Sequence, residues 1–197
     1  KCFDEINFKS VWQTVHLADK SSECIDLDFK IAHNIVYTAE KLHKMGKEDS
    51  PLCPLCGQEN EDIIHMFVKC DFVSDLRQVF EDIFTDICQK EGFSFTQLSL
   101  WLLFGFLDTN SSYYKVINIL LSFYRLAVYK FHTIIIREGK KLNLVNLFKA
   151  MSRYHLKYLY YHYCCKSALD KFMMNYIICS NLIKLEEKEI VLSHYFK

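Results

Sequence analysis

Apolar residues recur along most of this chain at helical spacing, and the polar stretches between them are short. Within residues 6–17, Phe8, Val11, Trp12 and Val15 share one face, which predicts a short helix. Residues 25–45 read as a second, bent element with Phe29, Ile31, Ile35, Val36 and Leu42 available for burial. A polar loop over residues 46–51 then leads into a group of cysteines. Beyond it, Val79, Phe80, Ile83, Phe84, Ile87 and Cys88 keep the helical period while Asp75, Asp82 and Asp86 take other faces. The apolar stretch 98–106 is assigned to the core. Residues 113–138 predict the longest helix, closed by Gly139 as a C′ residue, and residues 143–166 predict another. Residues 168–185 read as one more helix, with the charged run Glu186, Glu187, Lys188, Glu189 at its exit.

The pattern gives an all-α class. Only five Gly and two Pro punctuate 197 residues, too few turn signals for a many-stranded sandwich or barrel. A hydrophobic content of 51% argues against disorder. Residues 116–136 have the length of a membrane span, but Arg125, Lys130 and His132 interrupt them, and each Arg or Lys near the centre would cost about 2.5–3.5 kcal/mol in lipid. They are expected to be a buried helix, with no membrane as partner. The chain begins at Lys1 without a signal-peptide pattern and is expected to be a piece of something longer.

Net charge is zero, yet residues 1–110 hold 10 Lys/Arg against 19 Asp/Glu, and residues 111–197 hold 14 against 5. The chain therefore divides into an acidic helical region, 1–110, and a basic helical region, 111–197, packed as one unit or standing as two. Such asymmetry fits a nucleic-acid surface confined to one part, or two halves that neutralise each other. On the long helix, a rotation of about 100° per residue places Lys115, Asn118, Ser122, Arg125, Tyr129, Lys130, Thr133 and Arg137 on one arc, leaving Val116, Ile117, Leu120, Leu121, Val128 and Ile135 for the core. On the next helix Lys149, Arg153, Lys157 and Tyr160 rise along one stripe. Tyr154, His155, Tyr158, Tyr161, His162 and Tyr163 interleave rings with that charge, a composition suited to unpaired bases or to the core. The candidate nucleic-acid contacts are therefore Lys115, Arg125, Lys130, Arg137, Lys149, Arg153, Lys157 and Tyr160.

The most specific chemistry lies at residues 53–70. Cys53, Cys56, His65 and Cys70 follow the pattern Cys-x2-Cys-x8-His-x4-Cys, which supplies the four soft or borderline ligands that tetrahedral zinc requires. Pro54 stiffens the turn, and Gly57 gives the positive-φ freedom that lets amides face the thiolates. Four protein ligands leave no open position, so one structural zinc ion is expected, in a small knuckle embedded in the helical domain. Iron–sulfur ligation would favour a fourth cysteine, and redox use of Cys53 and Cys56 lacks a βαβ setting. Asn60 is placed as the N-cap of a short helix through His65. Five residues turn a continuous helix by about 500°, so it must stop near Val68 or Lys69 for Cys70 to return to the metal. Ile64 and Phe67 would pin this helix to the domain, and His33 and His43 are surplus to coordination. Nine cysteines, an odd total with six outside the cluster, fit a reducing compartment, the cytoplasm or nucleus.

With Trp12, Thr38 and Leu42 upstream, and Glu61 and Phe67 about the His-x4-Cys half, residues 12–70 resemble the zinc-binding (CCHC) domain that follows the polymerase in LINE-type non-LTR retrotransposons. The resemblance implies a non-catalytic accessory region of a reverse transcriptase. It would help to hold template RNA or target DNA and work beside the polymerase domain of the same parent chain. No Tyr-x-Asp-Asp stretch, glycine-framed nucleophile or phosphate-binding glycine loop is present in the sequence, and no small-molecule substrate is expected. The alternative is a protein-interaction module, a domesticated fragment without direct nucleic-acid contact, docking through the acidic half or the 98–106 stretch.

Overall fold

Side-chain caps set the first two helices. Asn7 accepts the Lys9 amide to open α1 (Phe8–Val15), and Ser21 accepts that of Cys24 to open α2 (Ser22–Ala32). These and the following elements come from a computed structural model that describes residues 7–91, 98–177, 183–186, 189–193 and 195. The bend predicted within 25–45 is a complete break: Asn34 takes a left-handed conformation at φ 52°, and α3 (Ala39–Lys44) starts afresh. α4 (Ser74–Glu91), α5 (Leu98–Phe104), α6 (Tyr114–Glu138) and α7 (Leu144–Cys165) follow the hydrophobic pattern closely. Gly139 ends α6 in the left-handed conformation.

The fold is predominantly helical, as the pattern predicts, with one exception at the end. Instead of a single helix over 168–185, α8 (Leu169–Phe172) passes into a π-helical turn (Met173–Ile177), and β1 (Ile183–Glu186) pairs antiparallel with β2 (Glu189–Leu192). Residues 178–182 of that predicted helix lie outside the described residues. In β1, Ile183 is buried and Leu185 half-buried while Lys184 and Glu186 are exposed; four residues of period-two alternation are too few to compete with the helical reading upstream. Of the charged run, Glu186 stands opposite Glu189 in this pair, and Glu187 and Lys188 lie outside the described residues.

α6 forms the axis of the structure. It packs against α2, α5, the segment His65–Lys69 and α7, so every residue from Val116 to Val128 is buried. This overturns the expectation of a solvated polar arc along its whole length. The polar groups in the middle of that arc are buried and satisfied internally. The Asn118 amide accepts from the Phe106 N–H at 2.9 Å and donates to the Phe106 carbonyl at 2.8 Å. The chain can approach that closely because residue 105 is glycine: at φ 88°, a Cβ there would lie 2.5 Å from the Asn118 oxygen. Two turns on, Arg125 grips Asp28 of α2 with Nε–Oδ1 at 2.6 Å and Nη2–Oδ2 at 3.0 Å, and donates to the Leu102 carbonyl at 3.1 Å. Lys20 Nζ and Ser122 Oγ reach the same carboxylate at 2.6 and 2.9 Å.

Asp19, between α1 and α2, ties down the far end of the chain. It accepts from the hydroxyls of Tyr163 on α7 and Tyr176 in the 173–177 π turn, while its carbonyl lies 2.9 Å from His155 Nε2. The acidic and basic regions thus meet in one continuous core, from Leu27 and Phe67 through Leu120 and Phe148 to Phe172 and Ile183. α6 is long and apolar enough to cross a membrane by length and composition; here its central turns are enclosed by the other helices.

Candidate metal centre

Residues 52–60 fold back on themselves, with Leu52 bridged to Asn60 and the Cys53 amide donating to the Glu59 carbonyl at 2.8 Å. Gly57, at φ 67°, donates to the Cys53 carbonyl, and the amides of Leu55 and Cys56 point at the Cys53 sulfur. This loop presents two of the four ligands. The others come from the segment that follows, whose cap is Asp62 rather than Asn60: the Asp62 carboxylate accepts the His65 amide at 2.6 Å. The cap falls two residues later because the Glu61 side chain turns inwards.

The run from His65 to Lys69 is a π-helical turn, closed by the Cys70 amide donating to the His65 carbonyl at 2.9 Å. Sequence spacing requires the helix to stop before Cys70, and it does, at Lys69. The wider turn adds what an α-helix cannot: closure on the fifth residue brings positions five apart into near alignment, so His65 and Cys70 face the same point. The carbonyls inside the turn have outside partners. The Tyr124 hydroxyl of α6 donates to Phe67 at 2.6 Å, and Arg77 of α4 donates to Val68.

Cys53 Sγ, Cys56 Sγ, His65 Nε2 and Cys70 Sγ therefore converge, all within 4.8 Å of one another. Zn–S and Zn–N distances of about 2.3 and 2.0–2.1 Å give tetrahedral edges of roughly 3.8 Å between sulfurs and 3.6 Å from sulfur to nitrogen. Cys53 and Cys70 stand 3.9 Å apart, and Cys56 Sγ lies 3.3 Å from His65 Nε2. The donor set and its spacing fit zinc. Cys53, His65 and Cys70 are buried and Cys56 half-buried, and the four donors between them complete a tetrahedral set.

Without metal the thiols are not equivalent. The hydrogen bond to Cys70 and burial both push the Cys53 thiol up, whereas that same bond and the Phe72 amide lower the pKa of Cys70. Cys53 thus holds its proton more tightly than Cys70, and zinc binding displaces it.

Glu59, Glu61 and His132 extend the site beyond its ligands. Glu59 Oε2 lies 3.2 Å from His65 Nδ1, fixing the tautomer that leaves Nε2 for the metal. Glu61, 1% exposed, caps α3 by accepting the Ala39 amide at 2.8 Å, accepts from His132 Nε2 at 2.5 Å, and stands 3.5 Å from Cys53 Sγ. Burial opposes its charge, but the His132 contact and the Ala39 amide outweigh it and hold the carboxyl below its usual pKa. Once Cys53 is a thiolate, Glu61 faces a like charge, which the His132 contact offsets. The sequence contains no signal for this link, because Glu61 and His132 are 71 residues apart. The surplus histidines take other roles: His33 packs on Trp12 and Phe29, and His43 Nδ1 meets the Glu48 carbonyl.

The candidate nucleic-acid residues do not form one surface. Arg125 is 1% exposed and committed to Asp28, and Tyr160 is 6% exposed, set edge-on against Phe172; neither side chain is available to a ligand. Helical period alone places both on an outer stripe, because it cannot register that each helix is covered on more than one side. Lys130 pairs with Glu23 at 2.8 Å, and Lys115 and Lys149 are half-buried. Arg137, Arg153 and Lys157 are exposed. Three side chains outside the candidate set accompany the last two on α7: Tyr154, Tyr158 and Tyr161, 79%, 56% and 61% exposed.

A helical domain pinned by a buried Cys3His cluster defines a structural zinc-binding module. Residues 5–76 match the family described as zinc-binding in reverse transcriptase, so over this stretch the chain is similar to the zinc-binding region associated with that enzyme. That family is accessory to the enzyme and not its catalytic part. No curated protein and no solved structure matches the chain.

Proposed function

We propose that this chain is the CCHC accessory region of a LINE-type reverse transcriptase, holding one structural zinc ion and gripping template RNA or target DNA for the polymerase of the same parent protein. The setting is intracellular, cytoplasm or nucleus, where the scattered thiols stay reduced. The reading is carried by how charge is distributed on the surface. The sequence has no carboxylate from residue 139 to residue 169, while Lys141, Arg153, Lys157 and Lys166 are exposed there and Arg137 lies just before. Among the described residues, no ion pair neutralises any of these five.

The test is equilibrium binding of the zinc-loaded chain to labelled RNA and DNA between 50 and 200 mM salt. The logarithm of the association constant should fall linearly with that of salt, by about 0.7 for each phosphate contact on a single strand. Replacing Arg137, Arg153 and Lys157 by glutamine should flatten the line. No binding at low salt with zinc in place would overturn the proposal. A protein-interaction module is the competing reading, but it loses the 98–106 stretch as its docking face, because Leu102, Leu103 and Phe106 are buried.

A further inference from the structure

Three large aromatic side chains stand in solvent along one line of α7. About 100° per residue places Tyr154, Tyr158 and Tyr161 within an arc of roughly 60°, while Arg153 and Lys157 lie together on one flank of it. Exposures of 79%, 56% and 61% are far beyond what these residues need to cover the core, since Phe148, Leu156, Leu159 and Tyr160 already do so from the opposite face. Two of the rings are braced from behind. Tyr158 stacks on His162 with centroids 6.0 Å apart and planes at 23°, and Tyr161 meets the buried Tyr160 at 5.4 Å.

We propose that this face is a stacking rail for an unpaired strand, and that it makes the nucleic-acid grip selective for single strands over duplexes. The proposal rests on the nucleic-acid reading above and specifies the ligand. Along the helix axis the rings are separated by about 6 and 4.5 Å, longer than the 3.4 Å step of stacked bases in a duplex. A strand can meet all three only by unstacking and presenting one base to each. Paired bases are closed within the duplex and offer these rings nothing but the backbone. The cations on the flank supply the phosphate attraction, and no carboxylate is present between residues 139 and 169 to oppose it. Aromatic faces accept any base, so the selectivity is for strand state and not for sequence.

The test uses the full zinc-loaded chain with a fluorescein-labelled oligouridine 12-mer and a mixed-sequence 12-base-pair duplex. Replacing Tyr154, Tyr158 and Tyr161 together by leucine keeps the helix and the charge. It should weaken oligouridine binding by about five- to 150-fold for each base taken off a ring, with the salt slope and duplex affinity unchanged. R153Q/K157Q should instead reduce the single-strand salt slope by about 1.4 and weaken both ligands. An unchanged melting temperature for the leucine variant verifies its fold; if it melts lower, single Tyr→Leu variants, each expected to lose part of the effect, replace it. Equal losses on strand and duplex, or a leucine variant binding oligouridine within twofold of the parent, would overturn the rail while leaving the grip itself intact. A parent chain that binds neither probe at low salt would overturn the underlying reading as well. A protein ligand on this face would show itself as nucleic-acid affinities that ignore the tyrosines, which also counts against the rail.

Discussion

Arg125 provides the sharpest test of the packing described here, because sequence period places it outside and the structure places it at the centre. The proposed perturbation is Arg125→Met, which keeps a long unbranched side chain in the space but removes the guanidinium. Asp28 would lose both contacts of its bidentate partner and keep only Lys20 and the Ser122 hydroxyl, in a pocket where its side chain is 4% exposed. The Leu102 carbonyl would also lose its donor. Removing one member of a buried ion pair costs about 3–5 kcal/mol, chiefly because the other charge remains without water. Lys20 still faces the carboxylate, which places the expectation at the lower end, near 3 kcal/mol. For a chain of this size 1 kcal/mol corresponds to roughly 2–4 °C, so melting should fall by about 6–12 °C. Urea titration of the parent and variant, read by circular dichroism, measures the same quantity. Lys20→Met, Asp28→Leu and Arg125→Met together should cost less than Arg125→Met alone, because no charge is then stranded. A loss below about 1 kcal/mol for the single variant would refute a buried, paired Arg125.

Five further outcomes follow from the same geometry. Burial would raise the pKa of Asp28, but Arg125 and Lys20 outweigh it and hold it below the usual carboxylate range; its contribution is therefore complete above the unfolded value and lost as pH falls through the folded one. Lys20 is held low by burial, against the pull of Asp28, so stability should rise as pH climbs from its folded value towards the unfolded 10.4; urea midpoints that do not move over this alkaline range would count against it. His132→Leu should weaken zinc binding by about 10–100-fold in a chelator competition, since Glu61 would face the Cys53 thiolate without its partner, and an unaltered affinity would argue against the link. Chelating the metal, or Cys53→Ser, should raise hydrogen exchange first at the Cys70 and Gly57 amides, ahead of the centre of α6. Gly105→Ala should destabilise the chain, because the new Cβ at φ 88° would meet the Asn118 oxygen at 2.5 Å; a neutral effect in thermal melts would mean that the approach relaxes freely.

The convergence of Cys53, Cys56, His65 and Cys70 was legible because their spacing is local: Cys53 and Cys56 share one turn, and His65 and Cys70 share the next segment. Most of the helices were legible for the same reason, down to the Gly139 that closes α6. Three features were not. The π turn depends on carbonyl partners, Tyr124 and Arg77, that arrive from other helices. The Glu61–His132 link joins elements far apart in the chain. The terminal hairpin depends on β1 finding β2 beside α7, a tertiary choice that four alternating residues do not encode.

The charge division required the structure most. Sequence alone leaves open whether the acidic and basic regions neutralise each other or whether the basic one faces an external anion, and the fold pairs the cations in the middle of α6 while leaving Arg153 and Lys157 of α7 in solvent. On α6, Arg125 is paired with Asp28, Lys130 with Glu23, and His132 with Glu61, every partner lying in the acidic region. Internal neutralisation therefore accounts for the middle of that helix and ends before Arg137. On α7 the same region contributes Asp19, but that carboxylate accepts from the hydroxyls of Tyr163 and Tyr176, which leaves Arg153 and Lys157 to solvent. Arg153 and Lys157 stay in solvent beside three exposed rings, while the inward tyrosines are held from below. One carboxylate thus anchors the buried side of the helix whose outer side carries the excess positive charge. A ligand drawn by that charge would meet α7 as a rigid edge and would have no need to displace any ion pair in the core.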